Sequence, residues 1–347
     1  MAKLVKDEGF FKTIHDFLDV HLVLRKGCSE DTQRAYRISL NLLLQYFKEK
    51  LGVKFSEIGF AQMTYTNICG FIDWLLGDRR CAASTANLRL TAIRSFAKFA
   101  SGRDPAKIHM QLELMNVPKP KAASKVVDFL SESALEALLA QPDISKTNGR
   151  RDRCYMTLLY DTATRCQELL NLRLCDINFH GKKCEIYVVG KGSKPRWISV
   201  SEKATEHLKS YINGTHAGKD QKTSEAPLFT TTIHEVEHQL SSAAIRKAMK
   251  KYGQAARITC VDVPQRIHPH QLRHTRAMHL YRAGIPLILV SEYLGHANID
   301  TTKVYAWADT EMKRSAIEKI TLKSNVGDIP VWQDDEAVIK KLYGLSV

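Results

Sequence analysis

Residues 268–305 read HPHQLRHTRAMHLYRAGIPLILVSEYLGHANIDTTKVY, and the fold turns on how that stretch is punctuated. Pro269 suits the first position of a helix, where a missing N–H costs nothing. His270 and Arg273, three residues apart, then share one helix face. Gly284 is placed to end that helix and Pro286 to open the next. Gly295 ends the second helix and leaves His296 at the turn, and Asn298 or Asp300 caps a third, short helix that carries Tyr305. Three helix ends therefore bring two imidazoles, a guanidinium and a phenol into a short span. A guanidinium grips phosphate oxygens in a bidentate fork, an imidazole moves protons near neutral pH, and a phenol can act as a nucleophile. Together they form a kit for attacking a phosphodiester.

Two upstream segments extend the kit. Thr164-Arg165-Cys166-Gln167-Glu168 follows an apolar helical stretch, expected over about Asp152 to Asp161. Thr164 with Gln167 matches a capping box and places Arg165 at a helix N-terminus, where backbone N–H groups and the positive end of the helix dipole favour a phosphate. Cys184–Val189 and Arg196–Val200 alternate like strands. Between them Gly190-Lys191-Gly192-Ser193-Lys194-Pro195 reads as a hairpin turn, a mobile carrier for a lysine.

These blocks, in this order over roughly 140 residues, resemble the tyrosine recombinase (phage integrase) family. His270-Gln-Leu-Arg273, Leu294-Gly295-His296 and Tyr305 nine residues later are similar to that family's catalytic end. Thr164 to Leu170 resembles its first-arginine box, and Gly190 to Lys194 its lysine hairpin. The resemblance covers residues from about 10 to 320, the N-terminal third only as a loose helical pattern. It implies a mainly α fold with a small β-sheet: a helical-bundle core-binding domain followed by a mixed α/β catalytic domain. It implies that Tyr305 attacks the scissile phosphate of double-stranded DNA, giving a 3′-phosphotyrosyl link and a free 5′-hydroxyl. Arg165 and Arg273 would hold the non-bridging oxygens. Lys191 would give a proton to the leaving oxygen, His270 would assist proton transfer at the tyrosine, and His296 would hydrogen-bond the phosphate. Lys194 would be a phosphate contact. Glu168 either orients Arg165 or is the ordinary acidic residue of a first turn. The resemblance further implies a protomer, monomeric or weakly associated when free, that assembles as a homotetramer on two DNA sites. It needs neither ATP nor a metal or other cofactor. One departure stands out: Thr-Ala-Thr-Arg165 occupies the place where Thr-Gly-Leu-Arg is common.

Composition fits this frame. A chain of 347 residues with 44% hydrophobic content can form two domains with real cores. No apolar run is long enough to span a bilayer, and Met-Ala-Lys-Leu-Val-Lys-Asp-Glu lacks the apolar centre of a signal peptide. A cytoplasmic, nucleoid-associated protein without a membrane partner is expected. A net charge of +14 and a pI near 9.3 favour a polyanionic partner. The eight cysteines include no Cys-x-x-Cys pair, so a zinc ribbon is unsupported, and their scatter reads as reduced thiols.

Four domain-level segments follow. Residues 1–116 show four apolar stripes at helical spacing, carried by Phe10 to Leu22, Tyr36 to Phe47, Ile68 to Leu75 and Ile93 to Ala100, with openings at Ser29 or Asp31, Thr64 or Thr66, and Ser84. Off those stripes lie Arg34, Arg37, Arg89, Arg94 and Lys98, nominated as contacts to a DNA backbone. Residues 117–127 are a proline-containing linker, with Lys119 and Lys121 suited to crossing phosphates. Residues 128–322 form the catalytic domain. Within it, a helix over Gln239 to Ala255 offers Arg246 and Lys250 to a groove, and residues 214–226 form a loop. Helices are expected over Glu311 to Lys323 and, in the tail 323–347, over Glu336 to Tyr343. The resemblance implies a tail that docks on a neighbouring protomer; the alternative is that it folds back on its own domain or frays.

Other classes fit less well. His270 and His274 stand four apart, a spacing that zinc enzymes use, but Gln271 replaces the glutamate of His-Glu-x-x-His, so no metal site is expected. A non-catalytic DNA-binding accessory protein would not be expected to keep Arg165, Lys191, His270, Arg273, His296 and Tyr305 together. A strand-swivelling topoisomerase would share the phosphotyrosine and lack a defined exchange site. Among recombinases, the tail and the Thr-Ala-Thr-Arg165 departure lean toward integration, excision or transposition of a mobile element, with chromosome-dimer resolution as the alternative.

Overall fold

The computed structural model describes residues 5–122, 127–190, 195–220, 223–296, 298–308 and 314. The chain divides into two compact units, Met1–Lys125 and Val126–Val347, each with its own apolar core. The architecture is mostly helical with small sheets, as expected. Among the described residues no helix is long and apolar enough to cross a membrane.

In the first unit α1 (Glu8–His15) runs directly into a π-helical segment, Asp16–Arg25. Asp7 opens it: one carboxylate oxygen accepts the Phe10 N–H at 2.9 Å and the other the Phe60 N–H at 3.1 Å. A single side chain thus caps the helix and pins a distant loop. The next helices are α2 (Glu30–Glu49), preceded by Ser29, α3 (Tyr65–Leu76), capped by the Thr64 hydroxyl on Asn67 N–H, and α4 (Ala83–Ser101). Their expected stripes face inward, and Phe10, Phe17, Phe60 and Phe96 pack edge-on or stacked at the centre, adding to the stabilisation from their buried area.

A fifth helix, α5 (Ile108–Asn116), joins the four expected. Its apolar residues Ile108, Leu112 and Met115 are exposed, and Leu114 is its buried anchor. What fixes its end is a charge. Arg94 donates from Nε to Leu114 O at 3.0 Å and from Nη2 to Met115 O at 2.9 Å, and also reaches Val117 O. These carbonyls include the orphans that every helix C-terminus leaves. The first part of the expected linker is therefore not free chain: Val117 is buried, and Pro120 O accepts a hydrogen bond from Asn87.

The second unit begins with α6 (Glu132–Leu139), capped by the Ser131 hydroxyl on Ala134 N–H. The following α7 (Thr147–Thr162) starts five residues before the expected Asp152, because its polar first turns carry no apolar signal although Gly149 and Arg151 are buried. It ends at Ala163, which adopts φ +48° in the left-handed region, and α8 (Cys166–Leu170) follows. Strands β1 (Ile177–His180), β2 (Lys183–Val189) and β3 (Pro195–Val200) make an antiparallel sheet in that order. Val188 pairs with Arg196, Ile186 with Ile198 and Cys184 with Val200.

Then come α9 (Glu202–Thr215), capped by Ser201, and a hairpin of β4 (Thr230–Ile233) and β5 (Val236–Gln239). The hairpin claims Gln239, which pairs with Thr230 and donates to Leu170 O. The helix expected from that residue consequently starts later, as α10 (Ser242–Thr259) under a Ser241 cap. Last come α11 (Pro269–Arg282), α12 (Leu287–Leu294) and α13 (Asp300–Ala308). Gly284 and Gly295 stand at the expected breaks with φ of +88° and +65°, and Asn298 accepts the Asp300 N–H at 2.9 Å. α7 packs against both α9 and α11. The helices expected over Glu311 to Lys323 and Glu336 to Tyr343 lie, apart from Arg314, outside the described residues.

Replacing Arg94 with Ala should destabilise the first unit by about 2 kcal/mol, the scale of hydrogen bonds from a charged donor. Arg94→Lys, which keeps the charge but not the fork, should not restore it. Arg34→Ala at an exposed position should stay within about 0.5 kcal/mol. Urea unfolding of the three variants measures the contrast.

Candidate active site

Arg165 stands at the N-terminus of α8, but the cap differs from the expected one. Thr164 is buried with its hydroxyl 3.1 Å from that of Thr162. Glu168 takes over the cap, its Oε2 accepting the Arg165 N–H at 3.1 Å while Oε1 accepts Arg165 Nη1 at 2.6 Å. The same carboxylate accepts Arg196 Nη2 at 2.9 Å on Oε2. One buried carboxylate therefore joins two guanidinium groups. Burial pushes the Glu168 carboxyl up, but the hydrogen bonds from Arg165 and the charge and hydrogen bond of Arg196 outweigh it and hold the group below the usual carboxylate range.

Arg273, on the first turns of α11, is buried. It donates from Nη1 to Ala163 O at 2.5 Å and from Nη2 to Leu294 O at 2.7 Å. Those two carbonyls lie two residues before Arg165 and two before His296, so Arg273 draws both turns to itself. Burial first, then the charge of Arg165, lowers its pKa to about 10, which leaves it cationic at neutral pH.

His296 lies just past Gly295, its Nδ1 2.8 Å from the hydroxyl of the buried Thr302 on α13. Burial, then Arg273 and Arg165, lowers its pKa to about 4. Tyr305 is enclosed by Ala163, Ala277, Met278, Val290 and Leu294, only 1% exposed. Burial raises its hydroxyl to about 12 against the opposing charge of Arg273. His270 sits one turn before His274, their ring centroids 6.4 Å apart.

Of the sequence-nominated catalytic residues, the structure thus gathers Arg165, Arg273, His296 and Tyr305 around the Arg273 guanidinium, with His270 on the same helix. Lys191 and Lys194 lie outside the described residues, between Gly190 and Pro195.

Two participants were missed. His274 Nδ1 is 2.8 Å from Tyr305 Oη, and its pKa is lowered to about 4 by burial, then by His270 and Arg273. Nothing in one sequence links positions 274 and 305. Arg196 did leave a signal. It shares strand parity with the buried Ile198 and Val200, so an arginine occupies the inward face of β3. Its guanidinium lies over Gly295: a Cβ built there would stand 2.9 Å from Cζ. Among the described residues no group of three or more His, Cys, Asp or Glu side chains could hold a metal ion.

The nominated DNA contacts divide. Arg34, Lys98, Lys119, Lys121, Arg246 and Lys250 are exposed. Arg37 is exposed and pairs with Asp19 at 2.7 Å. Arg89 is half-buried and donates to Ala35 O and Ser39 Oγ, tying α4 to α2. Arg94 is engaged on the α5 carbonyls as described, so two of the cations nominated on the first unit, Arg89 and Arg94, are holding it together.

A helical first unit followed by a unit with this sheet, these two arginine turns and this tyrosine defines the class as a tyrosine recombinase. The phage integrase family profile matches residues 128–312, and the N-terminal SAM-like domain of phage integrases matches residues 14–103. The tyrosine recombinase XerD of Staphylococcus haemolyticus is 33% identical over 287 residues, covering 81% of this chain and 89% of its own. The chain belongs to the phage integrase family of site-specific tyrosine recombinases. Two solved structures share the fold. One is a XerH site-specific recombinase bound to palindromic difH substrate (TM-score 0.66, 20% identity, 92% of this chain and 91% of that one). The other is the Tn1549 transposon integrase with transposon right end DNA (TM-score 0.65, 15% identity, 89% and 99%). At such identities the likeness speaks for the fold alone.

Two of the depressed histidines, His274 and His296, are lowered far enough to give a pH signature. The folded pKa of each lies below the ordinary value near 6.5, so their contribution to stability is full above that value. It should be lost as the pH falls from about 6.5 toward about 4, because the unfolded chain binds protons that the fold excludes. His274→Asn removes one of the two groups and keeps a polar atom near Tyr305. Urea midpoints measured across that window should fall less steeply for the variant.

Proposed function

We propose that this recombinase cuts and rejoins duplex DNA through a 3′-phosphotyrosyl intermediate formed on Tyr305. The observation that carries the reading is the seat of Arg273, whose two hydrogen bonds hold the Arg165 turn and the His296 turn about one cation that also acts electrostatically on Tyr305. In this reading Arg165 and Arg273 bind the non-bridging oxygens, where charge builds in the transition state. The neutral imidazole of His296 donates a hydrogen bond to the phosphate. Oxygen of Tyr305 bonds to phosphorus as the bond to the 5′-oxygen breaks, and Lys191 supplies that oxygen with its proton. His270 assists proton transfer at the phenol. The phosphodiester energy is retained in the covalent link, so strands rejoin without ATP, and the guanidinium groups supply the charge that metals supply in other phosphoryl-transfer sites. Because the phenol is enclosed in the DNA-free chain, attack requires α13 to shift or its surroundings to open.

Exposed cations of both units, Arg34, Lys98, Lys119, Lys121, Arg246 and Lys250 among them, would contact the DNA backbone, with four protomers on two sites. We assign the role to integration, excision or transposition of a mobile element. Adducts trapped on a nicked-duplex library and mapped to the genome should fall at the ends of a mobile segment. A site present once per chromosome would favour dimer resolution instead.

Tyr305→Phe should bind duplex DNA normally and form no covalent adduct on denaturing gels; an adduct from that variant removes the nucleophile assignment. Arg273→Ala should cut at least about 10²-fold more slowly. Binding should weaken steeply with salt as phosphate contacts release counterions.

A further inference from the structure

We propose that Arg196 is a positioning residue for the strand-transfer reaction, fixing Arg165 through the shared Glu168 carboxylate and clamping the Gly295 turn that presents His296. The inference rests on the reading above, in which Arg165 and His296 address the phosphate.

Four observations carry it. Arg196 Nη2 donates to Glu168 Oε2 at 2.9 Å, and the opposite oxygen of that carboxylate holds Arg165 Nη1 at 2.6 Å. The Arg165 side chain is long and flexible, so a carboxylate anchored on its far side by Arg196 limits where its guanidinium can go. Second, Arg196 lies on the inward parity of β3, opposite the buried Val188. An ion is costly there unless it is paired, and Glu168 is the pair. Third, the guanidinium covers Gly295 so closely that a Cβ would stand 2.9 Å from Cζ, 3.1 Å from Nη1 and 3.2 Å from Nε. Gly295 is constrained by its φ of +65°, and a side chain there would also have to displace the Arg196 guanidinium that Glu168 holds. Fourth, the Arg196 charge is felt at both Arg273 and His296, which places it at the same pocket. One arginine therefore connects the first-arginine turn and the histidine turn.

The test uses the nicked duplex that traps the wild-type protein best. At saturating DNA, Arg196→Ala should form adduct about 10²-fold more slowly, the scale expected for a small misplacement of a reacting group, with its affinity for uncut duplex essentially unchanged. Arg196→Lys, which can keep the Glu168 contact, should recover part of the rate. A wild-type rate in Arg196→Ala overturns the proposal. Combining Arg196→Ala with Glu168→Gln should be no slower than the slower single variant, since both break one linkage; multiplicative losses overturn the route through Glu168. A methylphosphonate at the scissile position, which removes a non-bridging negative charge, should not rescue Arg196→Ala. Rescue would mean that Arg196 neutralises the phosphate itself, and the positioning role fails.

A last arm needs no DNA. Gly295→Ala should lower the melting temperature less in an Arg196→Ala background than alone, because backbone strain is common to both and the clash is not. Equal losses overturn the clamp. If the wild type forms no adduct on any duplex, the proposed function fails, while this thermal cycle still reads the contact between Arg196 and Gly295.

Discussion

The buried guanidinium of Arg273 is the interaction on which the second unit's site depends. A cation removed from water is tolerated only where polar partners replace the solvent. Here the partners are the last carbonyls of two helices, Ala163 O at the end of α7 and Leu294 O at the end of α12. Helix C-termini carry unsatisfied carbonyls and partial negative charge, so each helix supplies what the arginine lacks, and the arginine satisfies what each helix leaves open. The geometry of the pocket follows. Residues just beyond each helix end, Arg165 and His296, are delivered to the same place because their helices terminate on the same side chain.

The electrostatics follow from the same arrangement. Three guanidinium groups, Arg165, Arg196 and Arg273, surround the single carboxylate of Glu168. Cationic neighbours and burial together deny protons to His274 and His296. The imidazoles are therefore neutral at physiological pH, and each can donate from one nitrogen and accept at the other. A pocket with excess positive charge and neutral imidazoles is suited to an anion, and a phosphodiester has the charge and the oxygen geometry to match guanidinium groups.

Much of this was legible in the chain. Proline and glycine punctuation placed α11, α12 and α13 because those residues act locally, through a missing N–H or a permitted left-handed φ. The strands flanking the lysine hairpin were legible for the same reason, since alternation is a property of the segment itself. What escaped depended on contacts between distant segments. The expected Thr164 cap is absent because its hydroxyl is buried beside that of Thr162, while Glu168 reaches back to the Arg165 N–H. Residue Gln239 left its helix for a strand because Thr230 offered it a pairing partner. The fifth helix of the first unit was missed because its apolar positions Ile108, Leu112 and Met115 face solvent and a cation on α4 holds its end. The link from His274 to Tyr305 spans two helices and has no local trace. The inward parity of Arg196 was present in the alternation of β3, but became informative only once the register with β2 was known.

Ala163 shows how loosely a signature residue can bind a sequence to its function. Its left-handed backbone costs an L-residue roughly 1–2 kcal/mol. Against that, its enclosed methyl returns about 0.8 kcal/mol, and a glycine in its place would give up roughly 0.5–1 kcal/mol more chain entropy on folding. The two residues come out nearly equal, so exchanging Ala163 for glycine should be thermodynamically almost silent. Either residue presents the same backbone carbonyl to Arg273.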